Sequence, residues 1–324
     1  MGGDLGPHPI LSAARRFASS HPQIDIILVA QLDALDISLL SNLPTNLSTF
    51  NASDIVLMDD TPATVLRHRQ QSSMWKTLEL VKSQQVDACV SSGNTGALMA
   101  IGRHLLKTYS GIDRPAICKP LPATNGRCYL LDLGANINCT AQQLEQFATM
   151  GAVLAQVAEG CARPKVGLLN IGEENIKGVE PVKEAALLLQ QNEKINYVGF
   201  VEGDDIYTGN VDVVVCDGFL GNIALKVSEG AAKFLAQSIH RLFSNQWYGR
   251  FMGLLAAPVV NQFRAKFDPA RYNGASLLGL QGTVIKSHGA ANELSFYYAI
   301  EMAVRHVENQ IPQKINAQFT NLYN

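Results

Sequence analysis

The sequence predicts an α/β protein of three layers, with helices over both faces of a largely parallel sheet, and three observations predict it. Short runs rich in β-branched residues recur along the chain, helical patterns fill the intervals between them, and polar glycine-bearing turns follow the runs. Strands are expected at 24–30, 55–58, 86–91, 129–133, 165–171, 195–201 and 211–216. Most of these are continuously apolar, as strands covered on both faces must be. Helices are expected at 74–82, 96–107, 141–159 and 181–191. No internal repeat, low-complexity segment or linker divides the 324 residues, so residues 1–324 are read as a single α/β/α unit.

Composition narrows the function. With 47% hydrophobic and 17% charged residues and a formal charge of −2, the chain has the balance of a globular protein and no charge excess for coating nucleic acid. Its six cysteines form no C-x-x-C pair, so no zinc site and no disulfide framework is expected. The amino terminus has no basic stretch leading into an apolar run, and no window is long and apolar enough for a spanning helix. A cytoplasmic protein with free thiols is expected, with peripheral contact with a membrane left open. Walker, zinc-protease and nucleophile-elbow motifs are missing from the chain.

In parallel sheets ligands bind beyond the carboxyl ends of strands, which directs attention to four loops. Ser92, Gly93, Asn94 and Thr95 form a small hydroxyl-rich turn opening into a helix, where backbone N–H groups make an anion cradle. Gly134-Ala-Asn136 is a tight turn with an amide at the strand end. Asn170-Ile-Gly-Glu-Glu174 with Lys177 places carboxylates and an amine together, and Asp217-Gly-Phe-Leu-Gly-Asn222 again runs from strand into helix. Any one such turn is an ordinary helix cap; four in one chain point to a shared anionic ligand. A fifth segment, 282–289, carries Lys286 and His288 two residues apart on extended chain, so both face one way.

The phrases Met1-Gly-Gly-Asp-Leu-Gly-Pro7, Ser92-Gly-Asn-Thr-Gly-Ala-Leu-Met99, Asp132-Leu-Gly-Ala-Asn136, Leu169-Asn-Ile-Gly-Glu-Glu174, Cys216-Asp-Gly-Phe219 with Gly221-Asn222, and Tyr272-Asn-Gly-Ala275 through Asn292 closely resemble, in order, the phosphate acyltransferase family of phospholipid synthesis. The resemblance implies an isopropylmalate-dehydrogenase-like fold and a homodimer. It implies acyl-acyl carrier protein and inorganic phosphate as substrates, no cofactor, and an acyl phosphate passed to a membrane glycerol-phosphate acyltransferase. Members of the family carry a short apolar strand ahead of the Met-Gly-Gly-Asp phrase; this sequence begins at Met1, so a first strand is expected to be missing. Leu220 stands where the family frequently has Thr, so no chemistry is assigned to it.

Such a reaction asks for position and charge control, because phosphate is already nucleophilic near neutral pH. The expected phosphate holders are the 92–95 loop and Gly221 with Asn222, with Lys286 or Lys177 as a point charge. Asn136 is the expected donor to the developing oxyanion and His288 the expected proton donor to the leaving thiolate. The internal rival, an acyl-cysteine on Cys89 or Cys216, places the nucleophile inside apolar strand patterns where thiols are inert. Two readings of other classes remain: an NAD- and metal-dependent decarboxylating dehydrogenase of the same fold, which lacks its G-x-G-x-x-G fingerprint here, and a non-catalytic scaffold for acyl carrier protein at the membrane.

Residues 240–272 differ from the rest. Arg250, Arg264 and Lys266 accompany an apolar middle that includes Leu254 and Leu255, with Gly253 and Pro258 interrupting any helix. A protruding helical hairpin is expected. Its tip would meet lipid and its cations anionic headgroups or the acidic carrier protein, or the whole would pack against a second copy.

Overall fold

A computed structural model describes residues 1–35, 40–244 and 269–323, with backbone alone at 240, 242–244, 269 and 321–323. The expected hairpin tip, including Arg250, Leu254, Leu255, Arg264 and Lys266, lies outside the described residues.

Helix α1 (His8–Ser20) precedes strands β1 (Ile26–Ala30) and β2 (Leu47–Asn51), helices α2 (Pro62–His68) and α3 (Ser73–Lys82), strand β3 (Ala88–Ser91) and helix α4 (Thr95–Leu105). The hairpin β4 (Ala116–Ala123) and β5 (Gly126–Leu131) leads to α5 (Ala141–Glu159), β6 (Lys165–Leu169), α6 (Glu180–Gln191), β7 (Asn196–Val201), α7 (Asp205–Thr208) and β8 (Val213–Val215). The long α8 (Gly218–Ser244) comes before the undescribed stretch; β9 (Ala275–Leu278), β10 (Thr283–Lys286), α9 (Glu293–Glu308) and α10 (Ile311–Tyr323) follow it.

Eight strands form one sheet in the order β3-β10-β9-β4-β5-β8-β6-β7, and β1 pairs with β2 apart from it. Pairing is parallel except around β9 and between β4 and β5. One face is covered by α5, α6 and α10 through Phe147, Leu154, Leu189 and Phe319, the other by α3 and α4 through Leu78, Leu98 and Ile101. The three-layer architecture is the expected one.

The antiparallel insertions position the site. Because β9, β4 and β5 each run opposite to the strand before them across the sheet, the carboxyl ends of β3 and β10 approach its middle from one side. Those of β5 and β8 approach from the other. A single row across the sheet shows it: Ser91 pairs with Lys286 and Lys286 with Ala275, while the next residue, Ser276, pairs with Cys118, Cys118 with Leu131, and Leu131 with Val215. Strand-end loops from both halves therefore meet over Cys118 and Lys119 of β4.

One strand expectation is corrected, and β2 and β4 appear where no strand was expected. Residues 55–58 form no strand; Leu57 N–H donates to Asp60 in a turn, and Leu57 and Met58 are exposed. The partner of β1 is instead Leu47–Asn51, an edge strand whose residues are mostly exposed and so carry no apolar run. Strand β4 escaped notice because Pro120 and Pro122 lie in it. Both fall in the half that β9 does not reach, where β5 is the only neighbour, so no ladder bond is lost on that side.

Between β1 and β3 lies a slot of about 470 Å³. Ile26, Leu28, Ala88 and Val90 line its edges, α3 contributes Met74 and Leu80 from one face, and Phe296 and Ile300 of α9 close the other. Four of the five residues of β1 are partly exposed.

Candidate functional site

The site is assembled from loops that cap strands of both halves. Helix α4 begins at Asn94, whose Oδ1 accepts the Ala97 N–H at 3.0 Å. Its Nδ2 donates to the carbonyls of Leu57, Met58 and Asp60 at 3.2, 3.0 and 2.9 Å. The Asn94 side chain is thus committed to building the loop. The N–H groups of Thr95 and Gly96, the first two of the helix, have no intrahelical partner by geometry, and both residues are exposed. Ser92 is buried beside Gly3, where a Cβ would sit 2.9 Å from the serine Oγ.

Lys286 ends β10 next to that loop. Its ammonium is buried and donates to the Ser287 carbonyl, and burial pushes it down to about 8, with Asp4 acting in the opposite direction. Asp4 is held there by its own N–H bonding to Gly289 O at 3.0 Å. The segment 287–289 is clamped by Asn273, which sequence reasoning named only as part of a phrase. Its Nδ2 donates to Ser287 Oγ and Ser295 O, both at 2.8 Å, and its Oδ1 accepts the His288 N–H at 3.1 Å. His288 Nδ1 receives the Ala290 N–H at 3.0 Å, so the neutral ring carries its proton on Nε2. Burial first, then the neighbouring Lys226, hold His288 below its ordinary value, which leaves it neutral at pH 7. In this tautomer His288 offers its Nε2–H as a hydrogen-bond donor.

From the other half, Asp132 organises the 132–136 turn. Its Oδ1 accepts from Ile117 and Ala135 N–H at 2.9 and 3.2 Å, and its Oδ2 from the Asn136 N–H and Nδ2 at 2.7 and 2.9 Å. Asn136 Nδ2 also donates to Pro115 O at 2.9 Å, and the residue is buried. Both amide hydrogens are used, so Asn136 braces the turn and is not a free oxyanion donor. Helix α8 starts against this turn: a Cβ at Gly221 would lie 1.9 Å from Asp132 O, so only glycine fits. The Gly221 N–H bonds Asp217 O at 2.9 Å, which removes it as a phosphate donor; Asn222 is exposed beside Gly134.

Two turns further, α8 meets the Lys286 group. Lys226 and Glu229 stand 3.0 Å apart, and Glu229 reaches Lys119 of β4 at 3.2 Å. Lys119, Lys226 and Glu229 all act electrostatically on His288. None of the three was found from sequence. Lys177, by contrast, pairs with Glu174 at 2.8 Å on the exposed loop after β6, outboard of this group. Cys89 and Cys216 are buried; burial pushes Cys89 up to about 12 and Cys216 well above its ordinary value, so neither thiol is poised as a nucleophile.

The model of a family described as fatty acid synthesis protein matches residues 1–314. The chain is 48% identical over 325 residues to the phosphate acyltransferase of Ectopseudomonas mendocina, covering 99% of this chain and 96% of that one. It is 50% identical over 321 residues to that of Nitrosococcus oceani, covering 98% and 94%. Among solved structures it resembles a phosphotransacetylase from Streptococcus pyogenes, with a TM-score of 0.62, 18% identity, and 92% and 91% of the two chains covered. A branched-chain phosphotransacylase from Enterococcus faecalis gives a TM-score of 0.56 at 15% identity, over 94% and 97%. These structural likenesses speak to the fold.

Proposed function

The chain belongs to the fatty acid synthesis protein family, that of the phosphate acyltransferases, and we propose that it transfers a fatty acyl group from acyl-acyl carrier protein to inorganic phosphate. The observation that carries this reading is the convergence of Lys286, Lys226, Lys119 and His288 beside the open N–H groups of α4, an arrangement suited to a dianion.

Phosphate sits at the 92–96 loop, held by the Thr95 and Gly96 N–H groups and the Lys286 ammonium. One of its oxygens attacks the thioester carbonyl, a C–O bond forms, and the tetrahedral oxyanion accepts the His288 Nε2–H. The C–S bond then breaks. The proton carried in by hydrogen phosphate balances the departing thiolate, so the products are acyl phosphate and free thiol. Asn222, exposed beside Gly134 at the start of α8, would orient the donor.

The product would feed a membrane glycerol-phosphate acyltransferase in phospholipid synthesis. The described helices include none long and apolar enough to cross a membrane. Arg250, Leu254, Leu255, Arg264 and Lys266 would bring the enzyme to the inner membrane surface or the carrier protein, a reading that flotation of the double variant Leu254→Glu, Leu255→Glu with anionic liposomes tests. A homodimer is part of the same reading.

The deciding experiment supplies acyl-acyl carrier protein and phosphate and traps acyl phosphate with hydroxylamine. Acyl hydroxamate is expected, falling by about tenfold or more in Lys286→Ala and His288→Ala. No hydroxamate from the wild-type chain overturns the activity, and normal rates in both variants overturn the site. NAD reduction in place of transfer would favour the dehydrogenase reading.

A further inference from the structure

Lys119 stands at a position where the fold asks for an apolar residue. Along β4 side chains alternate between faces, and its same-face neighbours Ile117 and Leu121 belong to the core under α3 and α4. A lysine there is only 15% exposed. Its ammonium loses hydration that one carboxylate restores in part, and burial lowers its affinity for a proton despite the adjacent Glu229. That carboxylate is shared: Glu229 Oε1 faces Lys119 at 3.2 Å and Oε2 faces Lys226 at 3.0 Å. With Lys286 opposite Asp4, three ammonium groups meet two carboxylates around a neutral His288. The group is one negative charge short of balance before any ligand arrives.

We propose that Lys119 and Lys226 are further phosphate-binding residues of this site, and that Glu229 is the carboxylate which holds them in place and which the phosphate dianion displaces. The inference rests on the phosphate reading above and extends it to a strand and a helix turn outside the recognised loops. Glu229 and Lys226 lie one turn apart on α8, so a single rotation of the glutamate side chain frees both ammonium groups without moving backbone. The competing account is mechanical: Lys119 and Glu229 only staple α8 to the sheet. The two accounts differ in sign. A staple weakens whichever partner is removed, whereas a displaceable carboxylate competes with phosphate and its removal tightens phosphate binding.

The test measures binding of inorganic phosphate by calorimetry, together with the KM for phosphate in the transfer assay, for wild type, Lys119→Met, Lys119→Arg and Glu229→Gln. Methionine keeps the apolar stem and volume, so folding is preserved. Lys119→Met is expected to weaken phosphate binding about tenfold or more, the loss of one charge-assisted hydrogen bond, with the KM for the acyl donor unchanged. Lys119→Arg should restore most of it, and Glu229→Gln should bind phosphate more tightly than wild type. Phosphate binding within twofold of wild type in Lys119→Met, or weaker binding in Glu229→Gln, overturns the proposal. Because calorimetry reads phosphate directly, absence of acyl transfer by the wild type would sink the proposed activity while leaving this comparison decisive.

Discussion

At the scale of single residues, the site depends on side chains that hold other side chains. Asn273 makes two hydrogen bonds to the segment bearing Lys286 and His288 and a third to Ser295 on the helix that follows. Asn273→Ala removes all three, and the buried Ser287 hydroxyl loses its donor. The expected outcome is a fall in kcat of about tenfold with the KM for the acyl donor nearly unchanged, since geometry and not affinity is lost; steady-state kinetics check it. Lys286 adds a pH signature. Its folded value, about 8, lies below its unfolded one near 10.4. Between these the unfolded chain binds the extra proton, so the contribution of Lys286 to stability rises with pH while its charge in the site is lost. Phosphate affinity should therefore fall above about pH 8 over the same interval in which thermal denaturation shows Lys286 becoming less costly to bury, a divergence absent from Lys286→Met. Lys286 and His288 were legible in the sequence because they share a short polar segment. Lys119 was not: it sits between core residues and two prolines, and its partner Glu229 is 110 residues away.

At the scale of elements, helices α3 to α6 and strands β1, β3, β5, β6, β7 and β8 could be read because their apolar patterns report burial. The 141–159 helix was read to the residue, and its Thr140 capping box explains why. β2 and β4 could not, since β2 is mostly exposed and β4 holds prolines along the half that pairs with β5 alone. The slot between β1 and β3 belongs to this scale. Its walls are two strand edges and two helix-borne apolar faces, the surroundings of one strand in a three-layer sheet. Met1 lines it, and Gly3 meets Ser92 just beyond the end of β3.

At the scale of the whole molecule, the decisive feature is the meeting of two sets of strand ends over β4, and no local pattern announces it. It depends on the reversals at β9 and at the β4–β5 hairpin, that is, on pairings between residues such as Cys118 and Ser276 that lie far apart in sequence. Loops could be ranked from sequence, but their grouping, with Lys286 joined to Lys226 and Lys177 left outboard, could not. The same scale governs assembly. Helix α8 projects Phe219, Ile223 and Val227 at four-residue spacing, with Phe234 and Leu235 further along, all largely exposed. An exposed apolar stripe of this length on a helix with a charged site on its other side is suited to burial against a second copy, with the two helices related by a twofold axis. Phe234 is 68% and Leu235 57% exposed, so glutamate at both costs the isolated fold little. If the proposed homodimer forms through this stripe, the double variant Phe234→Glu, Leu235→Glu is expected to run as a monomer by light scattering where the wild-type chain gives the mass of two copies, with its circular dichroism unchanged. Helix α8 also carries Lys226 and Glu229, so loosening its outer face should raise the KM for phosphate as well. A variant that stays dimeric would place the twofold contact elsewhere on the surface.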